Sequence, residues 1–124
     1  MNQGTYQIIL CIEQPIQLQV GGLGVHQFPK GRYVYVGRAS RGLSQRIRRH
    51  LRKEKKRHWH IDYLTSHPDV TIEEVLVVST DPDRECFEIG KRIANDGYQV
   101  PVKGFGSSDC HAGCPAHLLR EIAL

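Results

Sequence analysis

Between Gly31 and Leu51 the spacing of apolar residues changes period, and this limits the fold more than any other feature of the chain. In "GRYVYVG", residues 31–37, Tyr33 and Tyr35 alternate with Val34 and Val36, the two-residue repeat of a strand. From Leu43 onward, Leu43, Ile47 and Leu51 recur every fourth position, one stripe of a helix with His50 beside it. A strand that runs straight into a helix predicts α+β architecture (α/β in a loose sense), a small mixed or antiparallel sheet flanked by helices. A length of 124 residues fits one domain spanning residues 1–124 with one core.

The other segments fill in this outline. "TYQIILCIE" reads as a strand, and "IQLQV" alternates as a half-buried strand before the turn signal "GGLG". With "RYVYVG" these predict an antiparallel meander. "HWHIDYLTSH" predicts a short helix ending before Pro68. "EEVLVVST" is a continuous apolar run and predicts a central buried strand. The helix over 81–96 has a start signal, Asp81 at the N-cap and Pro82 at the first position, with Cys86, Ile89, Gly90 and Ile93 as its buried stripe. "GYQVPVKGFG" predicts a turn and an edge strand, because Pro101 cannot donate to a central ladder. The tail predicts a short helix.

No run of about 18 apolar residues exists, so no membrane span is expected. "MNQGTYQIIL" has no secretory pattern, which makes the cytoplasm the expected compartment. The formal charge is +4, but its placement matters more. Between Arg46 and Arg57 lie eight Lys/Arg and one acid, Glu54, the footprint of a polyanion partner. A solvated helix face is the plainer alternative. The expected nucleic-acid contacts are Arg38, Arg48, Arg49, Arg52, Lys53, Lys55, Lys56 and Arg57, followed by His58 and His60. The expected partner of such a block is a nucleic acid, DNA or RNA.

Several residues carry chemistry by type and spacing. Arg46 and His50 are four apart on one helix face, where a guanidinium can grip phosphate and an imidazole can move a proton. Packing of His50 against the sheet is the alternative. Glu85 in the first turn of a helix favours the positive end of the dipole, and can instead serve as one of the few protein ligands of Mg²⁺. In "CHAGCPAH", Cys110, Cys114 and His117 are three candidate zinc ligands, with His111 or Cys86 as a fourth. Small buried thiols in a tight turn are the other reading, and structural disulfides are not expected in a reducing cytosol. Cys11 reads as a small core residue. His58 and Asp62 share a helix face, as metal or phosphate contacts or as a pair fixing one helix to its neighbour, with Trp59 as an anchor.

Taken in order, "GTY" at Gly4–Tyr6, "YVG" at Tyr35–Gly37, Arg46 with His50, and Glu85 at a later helix start resemble the signature of the GIY-YIG nuclease superfamily. Almost the whole chain resembles a small branch of it that is sometimes fused to DNA-repair glycosylases. The resemblance implies a metal-dependent endonuclease acting on DNA, with a place in repair. It implies that Glu85 holds Mg²⁺ or Mn²⁺, that Tyr6 or Tyr35 with His50 helps to activate the attacking water, and that Arg46 stabilises charge on the phosphate. The alternative is a non-catalytic nucleic-acid-binding module built on the basic helix 43–57.

Overall fold

In the computed structural model, which describes residues 2–93, 97–106 and 114–122, seven strands and three α-helices are seen among those residues. In chain order they are β1 (Gly4–Ile12), β2 (Ile16–Gln19), β3 (Val25–Phe28), β4 (Gly31–Ala39), α1 (Leu43–Leu51), α2 (His60–Thr65), β5 (Val70–Ser79), α3 (Glu85–Ile93), β6 (Tyr98–Gln99) and β7 (Leu118–Glu121). The architecture is α+β, a five-stranded antiparallel sheet of order β5-β1-β4-β7-β6 and a separate hairpin, β2-β3. Among the described residues no helix is long and apolar enough to cross a membrane.

Alternate residues of β1 and β4 point to opposite sides of the sheet, and both sides are covered. Tyr6, Ile8, Leu10, Tyr33 and Tyr35 pack with Leu43 of α1 and Ile61 and Leu64 of α2. Ile9, Val34 and Val36 pack with Ile89 of α3 and Leu119 of β7. The tyrosine face and the valine face of "RYVYV" are therefore both interior.

Four expectations are corrected. The first three strands do not form a meander: β1 pairs directly with β4, and β2-β3 stands apart as its own hairpin. "EEVLVVST" is not central. β5 is an edge strand on which Leu76, Val77 and Val78 are 41%, 51% and 37% exposed. β1 lies inside the sheet, between β5 and β4, and its polar residues find partners: Thr5 Oγ1 donates to the Asp81 carbonyl, and Gln7 Oε1 accepts from Arg92. The tail forms β7 rather than a helix, because Leu118 and Leu119 alternate into the two cores and fill the open edge of β4. Finally, α1 stops at Leu51, with Arg52 already extended, so the basic block from 52 to 57 is not helical. Leu51 is exposed and His50 takes its place in the buried stripe.

The start of α3 follows the signals. Asp81 Oδ1 accepts from the Asp83 N–H, Pro82 opens a 3₁₀ turn over Pro82–Arg84, and the α-helix begins at Glu85. Its buried residues are Glu88 and Ile89; Cys86 is half-buried, while Gly90 and Ile93 are exposed.

Candidate active site

Pairing of β1 with β4 sets Tyr6 opposite Gly37 and Ile8 opposite Tyr35, so the two tyrosines sit diagonally on one face. Gly37 is needed there for close approach: a Cβ at that position would lie 2.5 Å from Tyr6 Cζ. His50 comes from the buried side of α1. The Tyr6 hydroxyl lies 2.7 Å from His50 Nε2, and the His50 ring centre is 6.2 Å from that of Tyr35. Burial, then the positive charge of Lys55, pushes His50 down to about 4, so the imidazole is neutral near pH 7. A neutral ring with its proton on Nδ1 accepts the Tyr6 hydroxyl on Nε2.

Burial also raises the Tyr6 phenol well above its ordinary value, opposed by Arg46 and reinforced by Glu85. Tyr35 is raised in the same way, by burial first and then by the charges of Tyr6 and Glu85. Arg46 and Glu85 thus act electrostatically on both phenols. Arg46 Nη1 donates to the Arg38 carbonyl at 2.8 Å, and its guanidinium carbon stacks 4.7 Å from the centre of the Trp59 ring. Glu85 Oε2 lies 3.2 Å from His117 Nδ1, and Oε1 is 3.9 Å from Arg38 Nε. Its side chain is 17% exposed, so it meets solvent while paired. Contacts join the buried Tyr6, Tyr35 and His50 directly and the half-buried Arg46 through Trp59, whose ring centre is 5.9 Å from that of His50, while Glu85 reaches this group through Arg38.

The family model for a domain of unknown function, DUF123, matches residues 5–123, which takes in every part of this cluster. The chain belongs to the DUF123 family. Comparisons with curated proteins and with solved structures give no match.

The second cluster of this DUF123 chain differs from the predicted one. Cys110 and His111 lie outside the described residues. Cys86 and Cys114 come together instead, their Cα atoms 6.1 Å apart, a separation that a disulfide spans. His117 Nε2 lies 3.9 Å from Cys86 Sγ. One ligand atom from each of Cys86, Cys114 and His117 falls within 4.8 Å of the others, so the group could hold a metal ion. The remaining cysteine among the described residues, Cys11, is half-buried on β1.

The basic run divides into two sets. Arg49 makes a two-pronged pair with the buried Asp62, both bonds 2.9 Å. Asp62 also accepts from the His58 and Trp59 amides, so the Asp62 of "HWHIDYL" fixes a chain turn rather than a metal. Lys53 donates to the carbonyls of His67 and Val70. Lys55 donates to the Arg49 and His50 carbonyls and to Thr65 Oγ1, and burial pushes its amine down to about 8. Arg38 donates to the Pro82 carbonyl and to Asp83, and His60 Nδ1 accepts from the Gly106 amide. Arg48, Arg52, Lys56, Arg57 and His58 remain exposed; Arg57 lies over the Tyr63 ring and His58 against Trp59. Sequence reasoning missed this structural use because the partners, Asp62, Thr65 and Val70, lie one element away. Helix-ending carbonyls just before a lysine cluster are the signal that could have shown it.

Proposed function

We propose that this DUF123 protein is a metal-dependent endonuclease of GIY-YIG type that hydrolyses phosphodiester bonds in DNA and works in repair. One observation carries the reading: the Tyr6 hydroxyl meets His50 Nε2 at 2.7 Å on the face shared with Tyr35, with Arg46 joined to His50 through Trp59. In this reading the Tyr6 hydroxyl, held by neutral His50, would help to activate the attacking water. Arg46, preset by Trp59 and the Arg38 carbonyl, binds the phosphate and offsets its growing negative charge. Glu85 would hold Mg²⁺ or Mn²⁺. Its carboxylate is part-exposed, and Oε1, 3.9 Å from Arg38 Nε, is the oxygen not engaged with His117. When bound, such an ion polarises the phosphoryl group and steadies the leaving oxygen. A zinc ion in the Cys86, Cys114 and His117 group belongs to the same reading.

The test is incubation of the protein with plain, nicked and branched DNA and Mg²⁺ or Mn²⁺. Cleavage is expected, and Glu85→Gln or Tyr6→Phe should lower it by at least about 100-fold with unchanged circular dichroism. No cleavage of any of these by the folded protein would remove the enzyme reading.

The non-catalytic DNA-binding module is favoured by one feature: Tyr6 and His50 are only 2% and 1% exposed. Its binding would use Arg48, Arg52, Lys56 and Arg57 and would be indifferent to divalent metal.

A further inference from the structure

Glu85 faces two ways. Toward the tyrosine face, its Oε1 lies 3.9 Å from Arg38 Nε, whose carbonyl accepts from Arg46, and the Arg84 amide just before it donates to Thr5 Oγ1 beside Tyr6; on the other side, its Oε2 lies 3.2 Å from His117 Nδ1. The other nitrogen of that ring, Nε2, points to Cys86 Sγ at 3.9 Å, and Cys114 sits against Cys86. A histidine that binds a metal through one ring nitrogen commonly gives the N–H of the other to a carboxylate, which fixes its tautomer and its direction. Glu85, His117 and the two sulfurs stand in that order.

The scaffold holds the arrangement from three sides. Glu85 and Cys86 open α3, directly after the turn capped by Asp81. The His117 amide donates to the Phe105 carbonyl at 2.8 Å, and its own carbonyl accepts from the Val36 amide of β4 at 2.9 Å. Gly106 packs beside it, with room so limited that a Cβ there would lie 3.3 Å from the His117 Cβ. His117 is 3% exposed, so its ring is set by packing rather than by solvent.

We infer that Glu85 is shared between two centres: it orients His117 for a thiolate-rich divalent metal site made with Cys86 and Cys114, and it bounds the Tyr6–His50 cluster with the same carboxylate. This rests on the metal-dependent reading above and adds a linkage to it. The metal site exists only in the dithiol protein. Two electrons and two protons from an added phosphine or thiol reductant convert the disulfide to two thiols, and a soft ion such as zinc then displaces both protons. With a cation on His117 Nε2, the Nδ1 proton is fixed toward Glu85 and positive charge stands beside its carboxylate. A second, hard cation at Glu85 then binds more weakly, and the weakening is reciprocal.

The experiment uses the full chain, reduced and stripped of metal, titrated with Co²⁺ as a coloured substitute for zinc. Wild type should show a thiolate-to-cobalt charge-transfer band. Glu85→Gln should keep the band and weaken Co²⁺ binding on the order of 10–100-fold. Tyr6→Phe, across the cluster, should leave Co²⁺ affinity unchanged. Mn²⁺ binding, followed by its electron paramagnetic resonance signal, should be weaker in zinc-loaded than in zinc-free reduced protein. Equal Co²⁺ affinity in wild type and Glu85→Gln would overturn the shared role, as would a wild type without the band. Equal Mn²⁺ affinity with and without zinc would overturn the linkage. If Glu85→Gln fails to fold, Glu85→Ala replaces it, and a Co²⁺ affinity equal to wild type is again the overturning result. None of these readings depends on DNA cleavage, so failure of the nuclease reading leaves a separate result.

Discussion

His50 is the residue on which the cluster turns, and its protonation gives a direct test. Burial and Lys55 hold its folded-state value at about 4, against 6.5 in an open chain. Asp62 works in the opposite sense and is outweighed. The unfolded chain therefore takes up a proton that the folded protein refuses across this window. Stability is complete above about pH 6.5 and falls as the pH drops toward about 4, by on the order of 3 kcal/mol at most. Denaturant unfolding at pH 7 and pH 4.5 should show this loss, and His50→Gln should largely abolish the difference. An unchanged slope in the variant would mean that another group drives the acid response. Tyr35 and His50 were legible in the sequence because strand alternation and helix spacing fix which side of its own element each occupies, whereas Tyr6 came only from the family resemblance. Asp62 was legible as a residue that fixes one helix to its neighbour, but its partner was not, because Arg49 lies thirteen positions earlier and no local period reports that pairing.

At the scale of elements, the basic segment is two devices rather than one. Lys53, Lys55 and Arg49 spend their protons on carbonyls and on Asp62, which ties the end of α1 to α2 and β5. Arg48 and Arg52 are exposed, one on α1 and one just past it. If DNA lies along this face, replacing both by Gln should reduce the dependence of log K on log salt by about 2, with little change in melting temperature. Lys55→Gln should do the reverse, lowering stability while leaving the salt slope near that of wild type. A salt slope that responds equally to both changes would mean that the division is wrong. The apolar run of β5 shows the matching limit of pattern reading. Val75 to Val78 carry the composition of an interior strand, yet the strand ends up at the edge, while β1, whose Thr5 and Gln7 have partners, is enclosed. Composition gave the strand, and tertiary pairing decided its neighbours.

Across the whole molecule, the tyrosine cluster and the thiol pair are joined by α3, whose first two residues belong one to each. The C-terminal segment completes both, since β7 pairs with Tyr35 and His117 reaches Glu85. A link between Cys86 and Cys114 therefore fastens the start of α3 to the segment that leads into β7, across a sequence separation of 28 residues. Closing a loop of that length removes unfolded-state entropy worth about 3–4 kcal/mol. Either a disulfide or a metal bridge supplies the fastening, so the two should substitute for each other. The oxidised protein and the reduced protein with zinc should melt at similar temperatures. The reduced protein with a chelator should melt about 10 °C lower. Scanning calorimetry on the three samples decides the matter. If reduction and chelation leave the melting temperature unchanged, the sheet is holding the C-terminal segment unaided, through β4 and the Phe105 and Val36 hydrogen bonds to His117.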